Sequence, residues 1–238
     1  MTIYNTLKQY LDALISDLGF SDEPIHVRCQ ALSVEQAIGK PDRDDYPIVK
    51  GREVMVEATF RDARGQAFTD DFENRDFTLK ELVNLEMDSN RNRACFVAGL
   101  NAVMRSLGLC DKTVHCKDQE PKICAGQLKD MIPPGSKVAL IGYQPGFLAA
   151  LAPFYSTRVI DLDRDNIGKT VSGVTIEAPD RTNQVIADSD MVLVTGSSLV
   201  NGTITDFLNL STPVIFFGVT ISGAARILNL KTYCQCGH

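Results

Sequence analysis

The segment MVLVTGSS, residues 191–198, opens with four apolar residues in a row and then breaks into Thr, Gly and two Ser. A strand with one wet face alternates apolar and polar residues. An unbroken apolar run closed by small polar residues instead suits a strand buried on both faces of a parallel sheet. KVALIGY (137–143), TRVIDLD (157–163) and PVIFFGV (213–219) have the same form, and GVTIEA (173–178) reads as a further short strand. Helical stretches lie between them: GFLAALAPF (146–154), RTNQVIADS (181–189), TITDFLNL (203–210) and SGAARILNL (222–230). Strand alternating with helix predicts right-handed βαβ units and a doubly wound sheet. The fold class is therefore α/β, with a Rossmann-like domain over 135–238.

Upstream the pattern differs. Tyr4, Leu7, Leu11, Leu14, Ile15 and Leu18 fall on one helical stripe. Pro24 opens an extended run, IHVRCQAL (25–32), and GKPDRDDYPIVKG (39–51) reads as a loop. REVMVEATF (52–60) is a strand, RDARGQ (61–66) a turn and AFTD (67–70) a short extended piece. A helix is expected over 79–87, with Thr78 as its N-cap, and another over 91–108, closed by Gly108. This is a smaller α+β domain over 1–108, joined by a connector of little periodicity, 109–134.

Composition narrows the function. The chain has 238 residues, 44% hydrophobic and 23% charged, with net charge -6 and no basic cluster. Nucleic acid is excluded as a partner on that ground, because phosphate binding needs clustered Lys and Arg. No apolar run approaches the roughly 20 residues of a membrane span, and no secretion signal is evident, so the protein is expected to be cytoplasmic. Seven cysteines, an odd number, argue against a disulfide framework. Cys29 and Cys95 sit in apolar runs and read as small buried hydrophobes.

In an open α/β sheet, ligands bind beyond the carboxyl ends of the strands. Four loops meet that rule. The first is Gly142, Tyr143, Gln144 and Pro145, a glycine turn into a helix whose N–H groups could face a ligand. It lacks GxGxxG, which weakens a dinucleotide reading. The second holds Asp161, Asp163 and Asn166. Asp161 lies near the spacing at which a Rossmann acid bonds a ribose hydroxyl; capping a turn is the alternative. The third, Thr195, Gly196, Ser197, Ser198, Asn201 and Thr203, is dense in small polar groups and suits a phosphate, carboxylate or ribose. Thr203 alone would serve as an N-cap. The fourth contains Gly218 and Thr220, with Ser222 as the capping alternative.

The connector places His115, Cys116 and Asp118 together. An imidazole oriented by a carboxylate can act as acid or base, and a thiol can be a nucleophile or soft-metal ligand. Cys234, Cys236 and His238 form a second thiol and imidazole group that could bind a metal; a frayed terminus is the alternative. Glu57 is an acid inside an apolar strand, with Gln66 and Thr69 able to join it. Asn101 is a buried amide in need of partners.

Several segments together resemble a known family: EATFRDARGQAFTD (57–70), FVAGLNAVMRSLGL (96–109), TVHCKDQEPKICA (113–125), LIGYQPGFL (140–148), VIDLDRDNIG (159–168), VLVTGSSLVNGT (192–203) and FFGVTISGAA (216–225). The chain is similar to the heavy-metal chelation family, a domain-of-unknown-function family of bacteria and archaea. The resemblance implies an enolase-N-terminal-like domain followed by a Rossmann-like domain, with the site where the two meet. It implies condensation or hydrolysis of a small pterin-, flavin- or siderophore-like metabolite. A non-catalytic protein that binds a metal or metal chelate is the alternative, and a methyltransferase using S-adenosylmethionine a weaker one. The expected cofactor is a heavy or transition metal ion, the expected partner a small metabolite or metal chelate, and a homodimer is compatible with the reading. Neither half alone should be active.

Overall fold

The computed structural model describes residues 2–20, 26–41 and 43–238; Pro24 lies outside them. Helix α1 (Ile3–Asp17) is capped by Thr2, whose hydroxyl accepts from the Asn5 N–H, and buries Leu7, Leu11 and Ile15. Leu18, counted on the same stripe, falls past the helix end and is exposed. Strand β1 (His26–Leu32) leads to α2 (Val34–Ile38), an unanticipated turn of helix with a Ser33–Gln36 capping box. Strands β2 (Val54–Phe60), β3 (Ala63–Thr69) and β4 (Arg75–Thr78) complete an antiparallel sheet of order β3-β2-β1-β4. Helix α3 (Leu79–Asn84) has the expected Thr78 cap but ends early, and α4 (Asn90–Ser106) follows.

The turn expected over 61–66 is only Arg61 and Asp62, since Phe60 already pairs with Ala63 and Gly65 and Gln66 pair within the sheet. Gly65 is glycine because α4 lies on the strand. A Cβ there would stand 2.3 Å from the Ala102 nitrogen and 2.4 Å from the Ala98 oxygen. Backbone contact, not a bend, explains the residue.

Helix α4 is buried without a break from Ala94 to Met104. A helix apolar all round has no solvent face and must be covered on both sides. One side packs on β2 and β3, and the other on the C-terminal half. Gly108, at φ +67°, ends it as expected, with the Leu109 N–H reaching the Met104 carbonyl.

The connector holds an unanticipated helix, α5 (Glu120–Gln127), followed by a 3-10 turn over 128–131. Its inward residues Cys124, Ala125 and Leu128 join the core of the C-terminal sheet. The C-terminal elements are β5 (Lys137–Ile141), α6 (Pro145–Leu151), β6 (Ser156–Ile160), β7 (Thr170–Val171), β8 (Val174–Glu177), α7 (Thr182–Ala187), β9 (Met191–Thr195), α8 (Ser198–Asn201), β10 (Val214–Phe217), α9 (Ser222–Leu228) and β11 (Thr232–Tyr233). The helix expected over 203–210 does not form. The single turn α8 precedes it, and only a 3-10 turn spans Ile204–Phe207.

The sheet order is β11-β10-β9-β5-β6-β8-β7, parallel except for β7. Its six parallel strands follow the Rossmann order. Along β5, Val138 and Leu140 enter one apolar cluster and Ala139 and Ile141 the other. Both faces are covered, which is why these strands read as unbroken apolar runs. The second cluster runs without interruption from Leu7 and Phe96 to Val192 and Phe216, so the two sheets share one core. Among the described residues no helix is long and apolar enough to cross a membrane.

Candidate functional site

The strand order reverses between β5 and β9, and a crevice opens at their carboxyl ends. The N-terminal half closes over it to form a cavity of about 970 Å³. Residues from all four strand-end loops line it, as do His115, Cys116, Cys124 and Cys234. Gly142, at φ +88°, lies where a Cβ would be 2.5 Å from Thr195 Cγ2, so the floor of the crevice admits no side chain. Glu57, Asn101, Asp118, Pro145, Cys236 and His238 are outside its walls.

The polar groups of the loops are largely engaged with one another. Asp161 accepts the Tyr143 N–H at 2.6 Å and the Asp163 N–H at 2.7 Å, so this carboxylate shapes the first two loops. Burial raises its pKa. Asp163 in turn accepts the Asp165 N–H. Gln144 caps α6 by accepting from the Phe147 N–H, and Pro145 is the first residue of that helix.

The phosphate-type cradle expected around Thr195 is largely spent. The Gly196 N–H bonds the Phe217 carbonyl, Ser197 N–H the Thr195 hydroxyl, Asn201 N–H the Ser197 carbonyl and Thr203 N–H the Ser198 carbonyl. The Ser198 hydroxyl donates to the Thr195 carbonyl. What this loop offers the cavity is hydroxyl and amide side chains. Thr203 makes no side-chain cap. Ser222 does not cap either; its hydroxyl donates to the Lys112 carbonyl. Thr220 Oγ1 accepts the Phe68 N–H at 3.1 Å and so ties the fourth loop to β3.

His115 faces the cavity. Its Nδ1 lies 2.6 Å from the Cys116 carbonyl. A carbonyl only accepts, so Nδ1 carries the proton, and the neutral ring has Nε2 as its free base. Burial lowers its pKa, which favours that neutral form. Asp118 does not orient the ring: its carboxylate accepts the Lys40 N–H at 2.8 Å and holds the loop after α2. Glu57 acts one step back. Gln66 Nε2 donates to Glu57 at 2.7 Å, while Gln66 Oε1 accepts the His115 N–H at 2.7 Å. Asn101 lies behind these, donating from Nδ2 to the Gln66, Val219 and Thr220 carbonyls and accepting the Gly223 N–H. Burial raises the Cys116 thiol well above its ordinary value, so it stays protonated near neutrality, unlike an activated nucleophile.

One residue of the cavity had not been singled out. Glu53 lines it, and burial followed by the charges of Asp161, Asp70 and Asp163 raises its pKa to about 7. An acid directly before the apolar strand 54–60 was the available signal, but a loop and strand boundary normally leaves such a residue wet.

The tail is not frayed. Val114 and His238 exchange two backbone hydrogen bonds of 2.8 Å, and His238 Nε2 lies 3.1 Å from Glu120 Oε2. Among the described residues no group of three or more His, Cys, Asp or Glu stands ready to hold a metal ion, so Cys234, Cys236 and His238 are not a preformed site.

Comparison with known proteins agrees with the resemblance read from the sequence. Residues 127–230 match the model of the DUF364 family, described as "Putative heavy-metal chelation". A crystal structure of a DUF364-family protein of unknown function from Pyrococcus horikoshii is similar over 92% of this chain and 80% of its own, with TM-score 0.56 and 14% identity. Another, from Desulfitobacterium hafniense, covers 74% of this chain and 72% of its own, with TM-score 0.49 and 16% identity. No curated protein matches. At these identities the likeness concerns the fold.

Proposed function

We propose that this protein binds a small polar metabolite in the cavity between its two sheets and acts on it by acid–base chemistry, with Glu53 and His115, both in the cavity lining, as the proton-carrying groups. The observation that carries the reading is the pairing of two titratable groups with displaced pKa values in one cleft. Glu53 is raised to about 7 and His115 is lowered, so a carboxyl that holds its proton near neutrality faces the same space as a neutral imidazole. Such pairs mark acid–base sites. Proton transfer of this kind serves condensation or hydrolysis, the reaction class implied by the family resemblance. A volume of about 970 Å³ accommodates a pterin- or flavin-sized molecule.

The lining argues for a ligand rich in hydroxyls and N–H donors. Glu53, Asp70, Asp161 and Asp163 lie near one another, and most of the backbone N–H groups after β9 that would greet a phosphate are engaged. Asp161 spends its carboxylate on backbone N–H groups, which makes the S-adenosylmethionine reading the weaker one.

A thermal-shift screen of pterins, flavins and catechol-type chelators tests the proposal, because a ligand stabilises the state that binds it. A hit at 100 times its Kd adds about 2.7 kcal/mol. In the Glu53→Gln variant the shift should shrink, while Asp118→Asn, outside the cavity, should keep it. A hit insensitive to Glu53→Gln, or an empty screen of these classes, overturns the proposal.

A further inference from the structure

Strand β3 is the edge of its sheet, and residues 113–115 of the connector run alongside it. The Gln66 N–H donates to the Thr113 carbonyl at 2.9 Å, and the Thr113 hydroxyl donates to the Arg64 carbonyl at 2.6 Å. The Gln66 side chain makes the third link. It is 1% exposed, and its amide has only one way round. Nε2 donates to Glu57, whose carboxylate oxygen only accepts, and Oε1 accepts the His115 N–H, which only donates. Turned over, the amide would set nitrogen against N–H and oxygen against carboxylate. Arg64 Nη1 faces the same Glu57 oxygen at 3.7 Å.

A buried acid and a buried amide are a costly filling for a sheet, because both must leave water. What they fix is the backbone of His115. The ring is held at two further points. Phe68, two residues on from Gln66 in β3, meets the imidazole edge-on with ring centroids 5.4 Å apart, and Nδ1 lies 2.6 Å from the Cys116 carbonyl. We propose that Gln66, oriented by Glu57, is the positioning residue that sets where His115 stands in the cavity and which ring nitrogen it leaves free. Neither Gln66 nor Glu57 lines the cavity, so both act through His115 alone. The inference deepens the acid–base reading and rests on it for any effect on turnover, while the placement of the ring can be read without a substrate.

The test is long-range proton–nitrogen NMR of the full chain at about pH 8, above the ordinary imidazole range, with the His115 signals identified by their loss in His115→Asn. The wild type should show one neutral tautomer, with Nδ1 protonated. Gln66→Met removes both side-chain bonds and should give a mixture of the two tautomers. Gln66→Asn, one methylene too short to span both partners, should do the same and serves where the methionine variant misfolds. Glu57→Gln still offers an oxygen to Gln66 Nε2 and should keep the single tautomer. Leu82→Ala truncates a fully buried residue outside this network and should lower stability without moving the ring signals. On a substrate found by the screen, Gln66→Asn should lower kcat by about 10²-fold with KM little changed, the mark of a displaced catalytic group. A single tautomer in both Gln66 variants, a mixture in Leu82→Ala, or turnover lost in His115→Asn yet unchanged in Gln66→Asn overturns the positioning role. A mixture in Glu57→Gln overturns Glu57 as the orienting acceptor. Full turnover in His115→Asn would strike the acid–base reading alone.

Discussion

Replacing Asn101 with leucine is expected to lower the unfolding free energy by about 3 kcal/mol or more, a large share of the 5–15 kcal/mol that holds a typical domain. Leucine keeps the branching and the number of side-chain heavy atoms but is bulkier, so a packing penalty adds to the lost hydrogen bonds. Asn101 is fully buried in the middle of α4. Its Nδ2 serves the Gln66 carbonyl of β3 and the Val219 and Thr220 carbonyls beyond β10, while its Oδ1 accepts the Gly223 N–H of α9 at 2.8 Å. Leucine would strand that buried N–H, and each unsatisfied buried group costs about 1–3 kcal/mol. Gly223 is packed closely on α4: a Cβ on it would lie 3.1 Å from Met104 Sδ. The same side chain joins both sheets behind His115, so the variant should also loosen the cavity. Urea titration of the wild type and Asn101→Leu gives the difference; a change under 1 kcal/mol at unchanged m-value would show that the amide is not a bracket between the sheets.

The Rossmann half was legible because its chemistry is local. A strand segment buried on both faces must be apolar, and 138–141, 191–194 and 214–217 are. The strand-end rule then located the cavity loops before any side chain was placed. Legibility failed where tertiary contact decides. Gly65 looks like a turn residue and is a strand residue pressed by α4. Helix α5 has no amphipathic stripe to announce it; it is held by a few inward residues on a sheet that begins ten residues later. The small polar residues after β9 suggested free donors, yet they satisfy one another. Nearness in sequence suggested that Asp118 orients His115. In the fold Asp118 turns to Lys40, while Glu57, far away in sequence, reaches the His115 backbone through Gln66. Glu53 was missed for the same reason: what makes an acid unusual is the set of charges that folding brings around it.

That set gives a second expected result, with a definite sign. Glu53 has its pKa raised from 4.5 to about 7 by burial and by Asp161, Asp70 and Asp163. Between those values the folded protein keeps a proton that the unfolded chain has released. Stability then falls as pH rises, since its slope follows the protons bound in the unfolded state minus those bound in the folded one. The contribution is fully present below pH 4.5 and lost as pH passes 7. Glu53→Gln keeps the shape and removes the titration. The variant should therefore match the wild type near pH 5 and exceed it by about 2–3 kcal/mol at pH 8. Urea unfolding at pH 5, 7 and 8 reads the gap; parallel curves would mean that Glu53 ionises freely in the fold. The penalty has a functional counterpart. An acid whose pKa sits near the working pH is the best placed to give and recover a proton, and losing such a group typically reduces turnover by about 10²–10⁴-fold. On a substrate found by the screen, Glu53→Gln should thus lose activity while gaining stability at neutral pH, and the wild-type kcat profile should break near the Glu53 pKa. A variant that gained stability and kept full turnover would make Glu53 a strained wall residue and leave His115 to act without it.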